Sequence, residues 1–166
     1  MFDKFGEFDS FEEINRAAAA QLKEGDLEAV MAIAEENGID KEDAEDYIDG
    51  AVDSLVNPLM AALGKLAVEE KDLKPYEIMN DWISYIRIRC AESQEVALAV
   101  RKKGKSLKGC IGTLLQWSFQ HAKPVDAEIV KAAGLPANVQ NRVTIGIPGM
   151  GQAKKLITEY YLEGNK

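Results

Sequence analysis

The chain is 166 residues long, 46% hydrophobic and 29% charged, with a formal net charge of −8 and a pI near 4.8. That apolar content is enough to bury a core as one domain or two small ones, and the chain is expected to fold alone. No run approaches the roughly 18 consecutive apolar residues of a membrane span, and Met1-Phe2-Asp3-Lys4-Phe5-Gly6-Glu7 lacks the basic-then-apolar order of a secretory signal, so a soluble, cytoplasmic protein without membrane contact is expected.

The charge is divided along the chain. Residues 1–72 carry 20 acidic side chains against 6 basic ones, a balance of −14, and residues 73–166 carry 8 against 14, a balance of +6. Two regions follow from this shift: an acidic helical region over 1–72 and a basic helical region over 73–166. Opposite potentials on one small protein bear on partners and association rates rather than on fold.

In chain order, the first region reads as short helices punctuated by glycine. Ser10-Phe11-Glu12-Glu13 has the order of a capping box, and Phe11, Ile14, Ala18 and Leu22 recur with helical spacing before Gly25. Asp26 opens a second helix that ends at Asn37-Gly38, and Asp40 a third that ends at Gly50. Asn57-Pro58 starts a fourth, because proline fits the first helical turn, where its missing N–H costs nothing.

Lys74-Pro75 then marks a boundary, since the residue before a proline is biased away from helix. The helix after it carries Met79, Trp82, Ile83, Ile86 and Cys90 on one stripe. Ser93, Ser106 and Asp126 can each cap a further helix, the second running toward Ser118, and a last helix runs from about Gly151 to Leu162. Val143-Thr144-Ile145-Gly146-Ile147 is the only β-like run. The expected class is mainly α, a small bundle-like fold with at most one short β hairpin or extended segment near 143–147.

Three constellations stand out. Arg101, Lys102, Lys103, Lys105 and Lys108 crowd the junction of two helices, where cations suit the helix C-terminus and the free N–H groups of the next helix suit an anion. A phosphate backbone fits that pattern, as does an acidic protein, and an ordinary solvated helix junction fits it equally well. Ile147-Pro148-Gly149-Met150-Gly151 leads into Lys154 and Lys155 and resembles the glycine turn of helix-hairpin-helix motifs, with Lys155 where a small alanine usually stands. A tight turn before a terminal helix is the plainer reading, and nucleotide hydrolysis is not expected with Gln152 in place of the Walker lysine and Ala153 in place of the hydroxyl. The acidic block holds Glu42, Asp43, Glu45, Asp46 and Asp49, which can imitate spaced phosphates or simply face solvent, and which lacks the ligand spacing of an EF-hand.

For catalysis the chain is poor. Its single histidine, His121, falls near a helix end, and its carboxylates form no recognisable nucleophile, metal or glycosidase arrangement. Cys90 and Cys110 lie on apolar helical spacing as two buried, reduced thiols, and Trp117 and Phe119 read as core or interface residues. The expectation is a binding protein, not an enzyme, with no cofactor and no metal.

Three segments, Lys105-Ser106-Leu107-Lys108-Gly109-Cys110-Ile111, Val125-Asp126-Ala127-Glu128-Ile129-Val130 and Lys155-Leu156-Ile157-Thr158-Glu159-Tyr160-Tyr161, stand out in the C-terminal region. Through them it resembles the PcfK-like proteins of conjugative and other mobile elements of bacteria. The resemblance covers roughly residues 74–163, with 136–150 as an insertion and the acidic region outside it. It implies a protein of a bacterial host cytoplasm, and some relatives look like anti-CRISPR proteins that block a type II RNA-guided Cas nuclease. On that implication the partner is the nuclease, its DNA or its guide RNA. The rivals are an accessory nucleic-acid-binding protein of a mobile element and a helical oligomer, such as a homodimer, whose charged halves pair between subunits.

Overall fold

The computed structural model describes residues 8–163. Local signals set the first helices. In α1 (Phe11–Glu24) the Ser10 hydroxyl accepts the Glu13 N–H at 3.2 Å, while the Glu13 carboxylate accepts from Asp9 N–H at 2.8 Å, one residue before the serine. Gly25 closes the helix in the left-handed region, φ 76°. Asp26 caps α2 (Leu27–Glu36) through Ala29 N–H at 2.9 Å. Asp40 stands at the start of α3 (Lys41–Ile48) without a side-chain bond to it. These three helices close over Ile14, Ala18, Val30, Ile33, Ala44 and Tyr47 as one apolar cluster.

The next helix, α4 (Pro58–Leu73), is capped by Asn57, whose Oδ1 accepts the Met60 N–H at 2.8 Å. It belongs to both halves: Ala61 lies in the first cluster, whereas Ala62 and Leu66 lie in the second. The apolar clusters therefore change over inside α4. The turn after α2, Asn37-Gly38, meets this helix almost backbone to backbone. A Cβ on Gly64 would sit 2.2 Å from the Asn37 carbonyl oxygen, and one on Gly38 would sit 2.2 Å from the Gly64 carbonyl oxygen.

Around the second cluster pack α5 (Ile78–Glu92), α6 (Gln94–Arg101) and α7 (Leu107–His121). Ser93 and Ser106 cap α6 and α7 through Val96 N–H and Gly109 N–H. The chain then leaves the bundle as an arm: β1 (Lys123–Pro124), α8 (Ala127–Ala132), α9 (Ala137–Gln140) and β2 (Thr144–Ile145). The strands pair antiparallel, Lys123 with Ile145 and Pro124 with Thr144. The expected extended segment is thus a strand, although its partner lies some twenty residues upstream. Finally α10 (Met150–Leu162) returns along α7, burying Ala153, Ile157 and Tyr161.

The fold is mainly α, ten helices and one two-stranded sheet among the described residues. Cys90 and Cys110 are buried free thiols in the second cluster, and burial raises them to about 11 and about 12. Phe119 departs from the core reading. It is 87% exposed, whereas Trp117 is half-buried and stacks on His121 with ring centroids 4.1 Å apart. No helix among the described residues is long and apolar enough to cross a membrane.

Candidate partner-binding surfaces

The basic junction between α6 and α7 is built around buried polar groups that sequence reasoning missed. Lys65, fully buried on α4, donates its ammonium to the carbonyls of Lys102 (2.6 Å) and Lys105. Glu69, one turn further along α4, accepts the Leu107 N–H at 3.2 Å. Both side chains lie on the stripe of Ala62, three and seven residues after it, so the signal was a lysine and a glutamate on the core-facing side of an apolar helix. With those carbonyls drawn inward, the turn is closed over the Lys65 ammonium.

This arrangement corrects the expected site in three respects. Arg101 is only 1% exposed, with Nη2 donating to Asn37 Oδ1 at 2.9 Å across the meeting of the two halves, so it is withdrawn from any outside partner. Its position follows from α6, which buries Val96, Ala97 and Val100 against the rest of the bundle and carries Arg101 in with them. Lys105 is half-buried, donating to the Tyr160 carbonyl at 2.6 Å with its nitrogen 5.0 Å from the centre of the Tyr160 ring. The start of α7 is largely occupied from within the chain. Glu69 takes Leu107 N–H, Ser106 Oγ takes Gly109 N–H at 2.9 Å, and the Tyr160 hydroxyl takes Ser106 N–H at 2.9 Å.

What the junction does present is Lys102, Lys103 and Lys108, all exposed, with no ion pair among the described residues. The Lys103 backbone N–H donates to Asp9 Oδ1 at 3.0 Å, which ties the acidic region to this turn.

The glycine turn lies elsewhere. Tyr160, near the end of α10, abuts the basic junction, whereas Gly149 and Gly151 stand at the other end of that helix, roughly 15 Å away at 1.5 Å per residue. Both glycines are exposed with open space around them, and no side chain caps α10. Lys154 lies 5.3 Å from the centre of the Tyr85 ring, and Lys155 lies 3.8 Å from Glu159. The two basic constellations are therefore separate surfaces.

The acidic block forms a coherent face. Glu42, Glu45, Asp46 and Asp49 recur at three- and four-residue steps along α3 and its end, and all four are exposed, while Asp43 is half-buried. Among the described residues, Glu45 alone of these four has an ion pair, with Lys41 at 3.1 Å. Ala44 and Tyr47, on the opposite side of α3, hold it to the first cluster.

Among the described residues no group of three or more histidine, cysteine, aspartate or glutamate side chains is placed to hold a metal ion. The head of α7 and the end of α10 meet in space, since Ser106 and Gly109 pack on Tyr160. A Cβ on Gly109 would fall 2.3 Å from the Tyr160 hydroxyl, so the glycine is what lets that ring approach. Compared with protein-family models, with curated proteins and with solved structures, the chain matches none of them.

Proposed function

We propose that this chain inhibits a type II RNA-guided Cas nuclease by binding, with the carboxylates of α3 entering a channel built for nucleic acid. The observation that carries the reading is the exposed row Glu42, Glu45, Asp46 and Asp49, in which, among the described residues, only Glu45 has an ion pair. Such nucleases hold nucleic acid in positively charged channels through its backbone, not its sequence. A rigid row of carboxylates offers the same charge without a scissile bond. The acidic region's balance of −14 strengthens the attraction at long range, and the PcfK-like resemblance of the C-terminal region supports the choice of nuclease.

The test is reconstituted cleavage with purified nuclease, guide and target while this protein is titrated in. Cleavage falls as the protein approaches the nuclease concentration, and the combined change Glu42→Gln, Glu45→Gln, Asp46→Gln and Asp49→Gln weakens inhibition roughly tenfold or more. Full cleavage at a large molar excess of the native protein overturns the proposal.

A second reading rests on Lys102, Lys103 and Lys108, which are exposed and unpaired among the described residues. It makes the chain an accessory nucleic-acid-binding protein of a mobile element, gripping phosphates without any nuclease. Binding of DNA or RNA by the protein alone, lost in the triple change of these lysines to glutamate, distinguishes it from the first.

A further inference from the structure

We infer that the groove where α2 turns into α3 seats an arginine side chain of the basic partner to which the carboxylate row of α3 is offered. This rests on the reading of α3 as a face that enters a channel for nucleic acid, and adds to it the side chain that the channel contributes.

The groove follows from how the chain leaves α2. Gly38 takes the left-handed region, φ 70°, and its N–H donates to the Glu35 carbonyl at 3.1 Å while Ile39 N–H donates to the Ala34 carbonyl at 2.9 Å, a Schellman turn that directs the chain into α3. Between the two helices lies a hollow of about 450 Å³, a size that takes a long side chain together with its neighbours. Exposure sorts its lining. Ala34 and Ile39 are buried and Met31 is half-buried, which makes an apolar floor, whereas Glu35, Asp40 and Lys41 stand exposed at the rim.

Charge at the rim selects the occupant. The Asp40 carboxylate makes no capping bond to α3, and neither Glu35 nor Asp40 has an ion pair among the described residues. Lys41, the cation at the rim, is committed to Glu45 one turn along α3, at 3.1 Å, where the groove runs on into the carboxylate row. Two uncommitted carboxylates above an apolar floor suit a long cationic side chain, its stem on Met31 and Ile39 and its head at the rim. Arginine meets this better than lysine, because a planar guanidinium offers carboxylates the paired N–H donors that it offers phosphate. An arginine set to hold a nucleic-acid backbone therefore finds the same chemistry here, whereas a phosphate or an anionic lipid head is repelled. A second copy is a poor source of that arginine. Arg87 and Arg89 are paired with Glu70 and Glu92 and Arg101 is interior, which leaves Arg16 and Arg142 on a molecule whose net charge of −8 repels its copy.

The experiment is an NMR titration of the intact chain, its methionine and isoleucine methyls labelled, with nona-arginine and with nona-lysine of the same charge. Nona-arginine moves the methyl signals of Met31 and Ile39 and binds about three- to tenfold tighter than nona-lysine. Glu35→Gln with Asp40→Asn weakens nona-arginine roughly fivefold or more, whereas the same loss of charge at two exposed carboxylates of α1, Glu12→Gln with Glu24→Gln, costs less than about twofold. In the cleavage assay inhibition weakens by a similar factor with the first pair and not with the second. Unmoved Met31 and Ile39 methyls, equal affinity for the two peptides, or equal effects of the two charge pairs overturn the groove, and inhibition that persists alongside them leaves the nuclease reading standing. Nona-arginine seated over Met31 and Ile39 together with uninhibited cleavage supports the groove and overturns the nuclease as its partner. A dimer in sedimentation that Glu35→Gln with Asp40→Asn dissolves overturns the assignment of the groove to an outside arginine.

Discussion

Lys65 is the residue on which the basic junction depends. Its ammonium serves two carbonyls of the turn between α6 and α7, so removing it leaves both without that donor in the protein interior. Lys65→Met, which keeps the length of the chain, is expected to cost roughly 1–3 kcal/mol for each stranded carbonyl. Urea denaturation measures the loss, and faster amide exchange at residues 102–106 locates it. An unchanged midpoint with unchanged exchange means the turn stands without Lys65.

Two helical glycines separate close approach from mere tolerance. Gly64→Ala is expected to destabilise by roughly 1–3 kcal/mol, because its methyl group would meet the Asn37 carbonyl oxygen. Gly112→Ala has open space around it and is expected to stabilise α7 by about 0.5–1 kcal/mol. Thermal melts of the two variants should shift in opposite directions.

The thiols set a limit at high pH. Cys90 and Cys110 are raised by burial from 9.0 to about 11 and about 12, and Tyr161 is raised too, again chiefly by burial. The unfolded chain therefore releases these protons first. Their neutral forms favour the fold fully below pH about 9, and that advantage is lost progressively as pH climbs through about 11 to 12. Stability measured between pH 8 and pH 11 should fall, and both thiols should resist a thiol reagent at pH 8 until the protein unfolds. Rapid labelling of the folded protein at pH 8 contradicts their burial.

At the scale of elements, what the sequence made legible is what local chemistry decides. Ser10, Asp26, Asn57, Ser93, Ser106 and Asp126 all cap the helices expected of them, because a capping bond spans two or three residues and needs no distant partner. Asp40 shows the limit, standing in the cap position with no bond made. Ser106→Ala should accordingly cost about 1 kcal/mol in denaturant unfolding, and Asp40→Ala distinctly less. What depends on distant chain was not legible. Lys123 and Pro124 carry no strand signal and become a strand only because Thr144 and Ile145 lie beside them. Arg101 reads as one more cation in a basic run, and only its bond to Asn37, 64 residues away, makes it interior. Of the candidate site, the acidic row on α3 was legible because exposure there follows helical period, whereas the basic run was legible in charge but not in availability.

For the whole molecule, the charge division is real in sequence but unequal in what it offers a partner. The basic region has a balance of +6, yet at its densest run Arg101 is interior and Lys105 is bonded to Tyr160, leaving three exposed lysines. If those three alone met phosphates, the plot of log affinity for DNA against log salt would have a slope no steeper than about −3. A steeper slope would bring Lys154, Lys155 or the arm into the contact. The acidic region keeps its carboxylate row open on α3, and the central claim is that this row takes the place of nucleic acid on the nuclease. Competition tests that claim most directly: the nuclease–guide complex is loaded with this protein and labelled target DNA is titrated in, followed by anisotropy. The account predicts mutual exclusion, with the DNA curve displaced in proportion to the protein added and the displacement lost in the four-glutamine variant of α3. A stable assembly holding nuclease, guide, DNA and this protein together, with the DNA affinity unchanged, would contradict it.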